Sequence, residues 1–139
     1  MERIVLDTNC LLISLASKSA YHRVWTDFIG RKYILCVTND IITEYEEILT
    51  QKVGKDIAGN IIRTILSRDN TAKIDICYRF NMITADADDN KFVDCAVAAN
   101  ARFVVTQDRH FDILKQIKFP HVDVADIDSF ILWLGHNRN

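Results

Sequence analysis

Glycine and proline are scarce: four glycines and one proline, Pro120, stand among 139 residues. So few glycines leave no glycine-rich loop to cradle phosphates through backbone N–H groups, which argues against a nucleotide-binding module. Long apolar runs are missing too. The longest near the start, Cys10 to Ala16, contains a serine and lies between Asp7 and Lys18, too short to span a bilayer. No basic leader or small-residue cleavage site precedes it, so no signal peptide is expected and a cytoplasmic location is. The four cysteines, Cys10, Cys36, Cys77 and Cys95, show no paired spacing. They read as small buried hydrophobes, not as zinc ligands or disulfides. His22, His110, His121 and His136 show no ligand spacing either, so any metal is expected to be held by oxygen. An excess of charge is also absent: 17 basic against 19 acidic side chains leave a formal net charge of -2. That gives no global attraction to nucleic acid, although a metal-loaded acidic site would mask part of it. There is no repeat, low-complexity segment or linker.

What is present is an ordinary globular composition, 49% hydrophobic and 26% charged, enough for a single domain over residues 1–139 with a proper core. Ile4-Val5-Leu6 is a short apolar strand that stops at Asp7 and turns through Thr8-Asn9 into a helix at Leu11 to Leu15. Ser19 begins a second helix that buries Tyr21, Val24, Trp25, Phe28 and Ile29 and ends at Gly30. Tyr33 to Val37 reads as a strand buried on both faces. Thr38, Asn39 or Asp40 caps a helix to about Lys52, and Asp56 to Ser67 forms another. Ala72 to Cys77 alternates as a strand nearer the edge. An acidic turn, Thr84 to Asn90, leads into a helix from Asp89 to about Ala101. Phe103 to Val105 is a buried strand and Arg109 to Ile117 a short helix. Pro120 precedes a last strand, His121 to Val124, and a helix from Asp126 to Leu134. This alternation predicts an α/β fold: a three-layer α/β/α sandwich with a mostly parallel central sheet.

That topology gathers four acids. Asp7 and Asp108 each follow a buried strand directly, so both stand at the sheet's carboxyl edge, where open α/β sheets bind ligands. Glu44 lies about one turn into the helix leaving the Tyr33–Val37 strand at the same edge. Asp89 begins the helix that runs back toward Phe103–Val105. At roughly 100° per residue, Asp89 falls near the centre of the apolar arc of Phe92, Val93, Ala96 and Ala99. A plain helix cap accounts for Asp89 equally well, as it does for Asp7. Glu44 is preferred over Glu46 because it is nearer the helix start, while phase alone admits both. Four carboxylates this close repel by a few kcal/mol per close pair, on the order expected in a partly buried cleft. Protonation or a divalent cation relieves that repulsion, and oxygen ligands suit Mg²⁺ or Mn²⁺. The competing account is four unrelated caps and surface acids.

At these residues the chain resembles the PIN-domain ribonucleases. The matching pieces are Asp7-Thr8-Asn9-Cys10-Leu11-Leu12, the lone Glu44, Asp86-Ala87-Asp88-Asp89-Asn90-Lys91-Phe92, and Val105-Thr106-Gln107-Asp108. They occur in the family's order and span nearly the whole chain; each is weak alone, and together they are specific. The third piece most resembles the bacterial and archaeal VapC-like branch, toxins of toxin–antitoxin pairs. The resemblance implies a PIN-like fold and a metal-dependent, single-strand-directed RNase, often a homodimer and often held inactive by an antitoxin. It gives Asp7, Glu44, Asp89 and Asp108 the acidic metal-site roles. Asn9, Thr106 and Asp94 become accessory candidates, with Asp94 an ordinary exposed acid on the other reading. Ala87 replaces a proline common in this branch and Gln107 a glycine, so the loops that place Asp89 and Asp108 could differ in rigidity.

The implied chemistry is phosphodiester hydrolysis by a water that Mg²⁺ or Mn²⁺ activates, leaving a 5′-phosphate and not needing the RNA 2′-hydroxyl. Lys91, Arg109, His110, Lys18 and Arg23 are candidate cations at the cleft rim, or else solvated surface charges. A different Mg²⁺-dependent phosphoryl-transfer enzyme, such as a phosphatase, would pair a nucleophilic aspartate with a second acid two residues on, but position 9 is Asn. A non-catalytic PIN-like module binding RNA or protein is the remaining alternative, disfavoured by retention of all four acids.

Overall fold

A computed structural model describes residues 1–136. The elements run β1 (Arg3–Leu6), α1 (Thr8–Leu15), α2 (His22–Ile29), β2 (Ile34–Val37), α3 (Asn39–Val53), α4 (Lys55–Ser67) and β3 (Thr71–Lys73). A single 3₁₀ turn (Ala87–Asp89), α5 (Asn90–Ala99), β4 (Phe103–Val105), a 3₁₀ helix (Arg109–Gln116), β5 (Val124–Ala125) and α6 (Ile127–His136) follow. The five strands pair in the order β3-β2-β1-β4-β5, every pairing parallel. The expected mostly parallel sheet is wholly parallel.

Strand register shows which helices cover which face. Ile4 pairs with Phe103 and Val5 with Val104, and paired residues in a parallel ladder share a face. Arg3 Nη1 donates to Ala99 O, which puts α5 over the Arg3–Val5–Val104 face. On the opposite face Phe130 of α6 packs edge-on against Phe103 and Tyr33. With helices on both sides, Ile4, Val5 and Leu6 are all buried, so β1 reads as a continuous apolar run and not as an alternation.

Chain direction reverses in the middle of the sheet. Two connections carry the chain from β1 out to β3, after which it returns over α5 to β4 and continues to β5. The crevice outside the carboxyl ends of β1 and β4 is thus the topological switch point, where ligands of open α/β sheets bind.

Several expected elements change length. The strand expected over Ala72 to Cys77 keeps only Thr71–Lys73 in the ladder, closed by Ile74 N on Val37 O at 2.8 Å. β3 is an edge strand with one neighbour, and its continuation leaves the ladder, with Phe80 N and Ile83 N bonded instead to the Asp94 and Asn90 side chains of α5. The last strand, at the other edge, shortens to Val124–Ala125. Arg109–Gln116 winds as 3₁₀ and not as α-helix. α2 starts at His22 with Tyr21 at its N-cap and no side-chain capping bond, so Ser19 does not cap it; Ser19 Oγ accepts from Tyr21 N at 3.0 Å in the turn that precedes the helix. Gly54, at φ 85°, allows α3 to end and α4 to begin at one residue, a conformation a side chain would strain. Among the described residues no helix is long and apolar enough to cross a membrane.

Candidate active site

Asp7 ends β1 and caps α1: its Oδ1 accepts from Asn9 N at 3.0 Å. Its Oδ2 accepts from Thr106 Oγ1 at 2.5 Å, and Thr106 Oγ1 in turn accepts from Asp108 N at 3.0 Å. Thr106, buried at the end of β4, therefore spans the two strand-end acids. Asp108 in turn caps the 3₁₀ helix, its Oδ1 accepting from His110 N at 2.9 Å. The cap reading and the cluster reading of Asp7 and Asp108 are both true at once.

Glu44 comes to the same notch through its neighbour. Tyr45, fully buried on α3, donates its hydroxyl to Leu6 O at the end of β1. This tie sets the first turns of α3 beside Asp7. Glu44 Oε2 accepts from the buried Thr8 hydroxyl, and Oε1 accepts from Lys91 Nζ at 2.7 Å. Glu46 is exposed and lines a separate groove with Lys55, Asp56 and Arg63, away from the cleft. Geometry thus separates the two glutamates that helical phase left open.

Asp89 arrives on the acidic loop. Asn90, buried at the start of α5, clamps that loop by accepting from Ile83 N and donating to Ile83 O, both at 2.8 Å. Asp86 caps the turn by accepting from Asp88 N at 3.1 Å. Asp89 stands at the N-cap position of α5 but makes no side-chain capping bond, so it does not cap its helix. Its Oδ2 is buried without a hydrogen-bond partner, with His110 Nδ1 3.5 Å away. Ala87, where a proline is common, simply opens the 3₁₀ turn. Gln107, where a glycine is common, donates nothing to the notch; its Oε1 accepts from Ile127 N at 3.2 Å and ties the loop to α6.

These acids line one cleft of about 270 Å³ with Thr8, Asn9, Asp86, Asp88 and Phe92. The electrostatics follow from crowding. Asp89 is pushed up to about 7, first by burial and then by the charges of Asp108 and Asp86. Asp7 also lies above its ordinary value: burial outweighs the hydrogen bonds from Thr106 and Asn9, and Asp108 and Glu44 add repulsion. A cation would reverse both shifts. The orphaned Asp89 oxygen, the oxygen-rich lining and the raised carboxyl pKa values together fit a divalent cation such as Mg²⁺ or Mn²⁺.

The accessory candidates divide. Asn9 is exposed on the cleft wall, and its backbone serves Asp7. Asp94 is buried at 3% exposure, not an ordinary surface acid. It accepts from Phe80 N at 3.1 Å, which anchors the irregular segment before the acidic loop, and burial raises its pKa above the ordinary carboxylate value. Helical phase put Asp94 off the apolar arc, but the 74–86 segment covers that flank. Of the rim cations, Lys91 pairs with Glu44, while Arg23 pairs with Asp27 on its own helix. His110 lies among the acids, 3.3 Å from Asp108 Oδ1 as well. Its place two residues after a strand-end acid was the only signal for it in the sequence.

A parallel sheet carrying a carboxylate cluster at its switch point defines an α/β protein with an acidic site suited to cation-assisted chemistry. The PIN domain family model matches residues 3–110, most of the chain. The chain belongs to the PIN-domain family, a nuclease-type family. Among solved structures it is similar to VapBC2 from Rickettsia felis bound to a DNA fragment from their promoter, at TM-score 0.61 and 14% identity over 89% of this chain and 98% of that one. It is also similar to DNA-bound VapBC from Salmonella typhimurium, at TM-score 0.64 and 16% identity over 91% and 99%. At such identities the likeness concerns the fold. No curated protein matches the chain significantly.

Proposed function

We propose that this chain is a metal-dependent endoribonuclease that cleaves single-stranded RNA, with Asp7, Glu44, Asp89 and Asp108 as its catalytic and metal-holding acids. The observation that carries the reading is Asp89: a carboxyl group with one orphaned buried oxygen, held against Asp108 and Asp86 without capping anything. A bound Mg²⁺ or Mn²⁺ supplies water activation at neutral pH and offsets charge on the phosphoryl oxygens. Asp7, Asp89 and Asp108 would hold that cation. Thr106 orients Asp7 through its hydroxyl and fixes the Asp108 backbone. Glu44, already accepting from Thr8 and Lys91, closes the α3 side of the cleft. Lys91 thereby sets an ammonium group at the entrance, where a backbone phosphate needs one and the net charge of -2 provides none.

The VapBC assemblies of similar fold pair a toxin with an antitoxin, which supports the further proposal that this chain is a toxin held by an antitoxin partner and acting on RNA in the cytoplasm. Ile57 and Leu66 of α4 remain exposed at 55% and 39%, so the expected homodimer has apolar surface to draw on. Purified protein with unstructured RNA and Mn²⁺ or Mg²⁺ is expected to give products with 5′-phosphate ends, and EDTA to abolish cleavage. Cleavage that persists in EDTA, or 2′,3′-cyclic phosphate ends, would overturn the mechanism.

A further inference from the structure

The sequence offered only oxygen to a metal, but the fold brings one nitrogen donor among the acids. Asp108 stops β4 and its carboxylate caps the 3₁₀ helix through His110 N. That short capped turn returns the His110 ring over the cleft. Its Nδ1 lies 3.5 Å from Asp89 Oδ2 and 3.3 Å from Asp108 Oδ1. One donor atom each from Asp86, Asp89 and His110 lie within 4.8 Å of one another. Donors sharing one small cation, with bonds of about 2.1 Å, sit roughly 3–4 Å apart, so modest side-chain rotations bring these three onto a common ion. The Asp89 oxygen that faces the ring is the one left buried and without a hydrogen bond. His110 itself is 46% exposed, free to turn, and has no competing structural task among its ring contacts beyond these carboxylates.

We infer that His110 is a nitrogen ligand of the site's divalent cation, alongside Asp89 and Asp86, and that it biases the site toward Mn²⁺ over Mg²⁺. This inference rests on the metal-site reading above. Imidazole binds first-row transition ions well, while Mg²⁺ prefers oxygen ligands and retained waters. A single nitrogen added to a carboxylate set therefore raises Mn²⁺ affinity with little gain for Mg²⁺. His110 is accordingly a selectivity-determining residue, and the acids alone would hold either ion.

The test needs no turnover. Mn²⁺ bound to the protein is examined by pulsed electron paramagnetic resonance for ¹⁴N coupling of an imidazole, in the parent protein and in His110→Ala. Calorimetric titration then compares Mn²⁺ and Mg²⁺ affinities. The expected result is imidazole ¹⁴N coupling in the parent protein, lost in His110→Ala, with Mn²⁺ binding weakened about tenfold or more, as for loss of a metal site's supporting groups. Mg²⁺ affinity should change by no more than a few-fold. His110→Gln, which keeps the size and a polar tip, should also lack the coupling. Mn²⁺ bound without imidazole coupling, or an unchanged Mn²⁺-to-Mg²⁺ ratio in His110→Ala, overturns the nitrogen ligand and leaves the acidic metal site standing. If neither ion binds the parent protein, both the inference and the metal-site reading fall.

Discussion

The two roles open to Asp89 from the sequence, helix cap and metal-site acid, are separable by substitution. Asp89 makes no capping bond, so Asp89→Asn removes no helix cap; it removes a negative charge from beside Asp108 and Asp86. The folded-state pKa lies above the unfolded one, about 7 against 3.8. The proton therefore favours the folded state: this contribution is full below 3.8 and is lost as pH rises through about 7. In EDTA, denaturant titrations should show stability falling over that window. The slope should be much shallower in Asp89→Asn, and Asp7, shifted the same way, leaves a remainder. RNA cleavage by Asp89→Asn should drop by orders of magnitude, with Glu46→Gln, which lines another groove, within a few-fold of the parent. A steep slope retained in Asp89→Asn would mean that its charge is not the one under strain.

At the scale of elements, the site depends on how loops are tied to helices. The acidic loop is irregular, and a buried Asn90 side chain holds it by closing on both backbone groups of Ile83. Asn90→Ala leaves a buried N–H and C=O unpaired, at a cost of about 1–3 kcal/mol for each group that water does not reach. The expected outcome is a lower midpoint of unfolding, faster amide exchange across residues 83–89, and weaker Mn²⁺ binding, while α3 and β1 keep their protection. Uniform loss of protection through the sheet would instead make Asn90 a general core residue. Sequence patterning reaches this region only in part. The composition of the loop marks it as a turn, but the residue that holds it is a polar side chain buried by contacts distant from any periodicity.

For the whole molecule the open matter is assembly. α4 buries Ala58, Ile62 and Ile65 but leaves Ile57 and Leu66 in solvent, so its apolar stripe is wider than the monomer uses. α2 differs: Val24 and Phe28 are buried and Trp25 and Ile29 pack on the core, so most of its stripe is used internally. A homodimer is therefore expected through α4 and not α2. Light scattering at micromolar concentration should give twice the chain mass, and Ile57→Glu should return it to one. A monomeric parent protein, without partner, would count against the dimer.

Hydrophobic pattern alone determined the α/β class, the carboxyl-edge positions of Asp7 and Asp108, and the helix that brings Glu44. Those follow from strand ends and helix starts, which are local. The sequence could not say that Asp94 is buried, because the segment covering it has no period to read. Helical phase also left Glu46 open beside the preferred Glu44; the Tyr45 hydroxyl on Leu6, a bond across 39 positions, is what sets Glu44 beside Asp7. His110 was legible only as a candidate cation at the cleft rim, and its contact with Asp89 was not. That contact depends on a capped 3₁₀ turn from one strand meeting a loop clamped by Asn90 from the other side of the sheet. Which groups share a cleft is a matter of distance between elements, and only packing sets that distance.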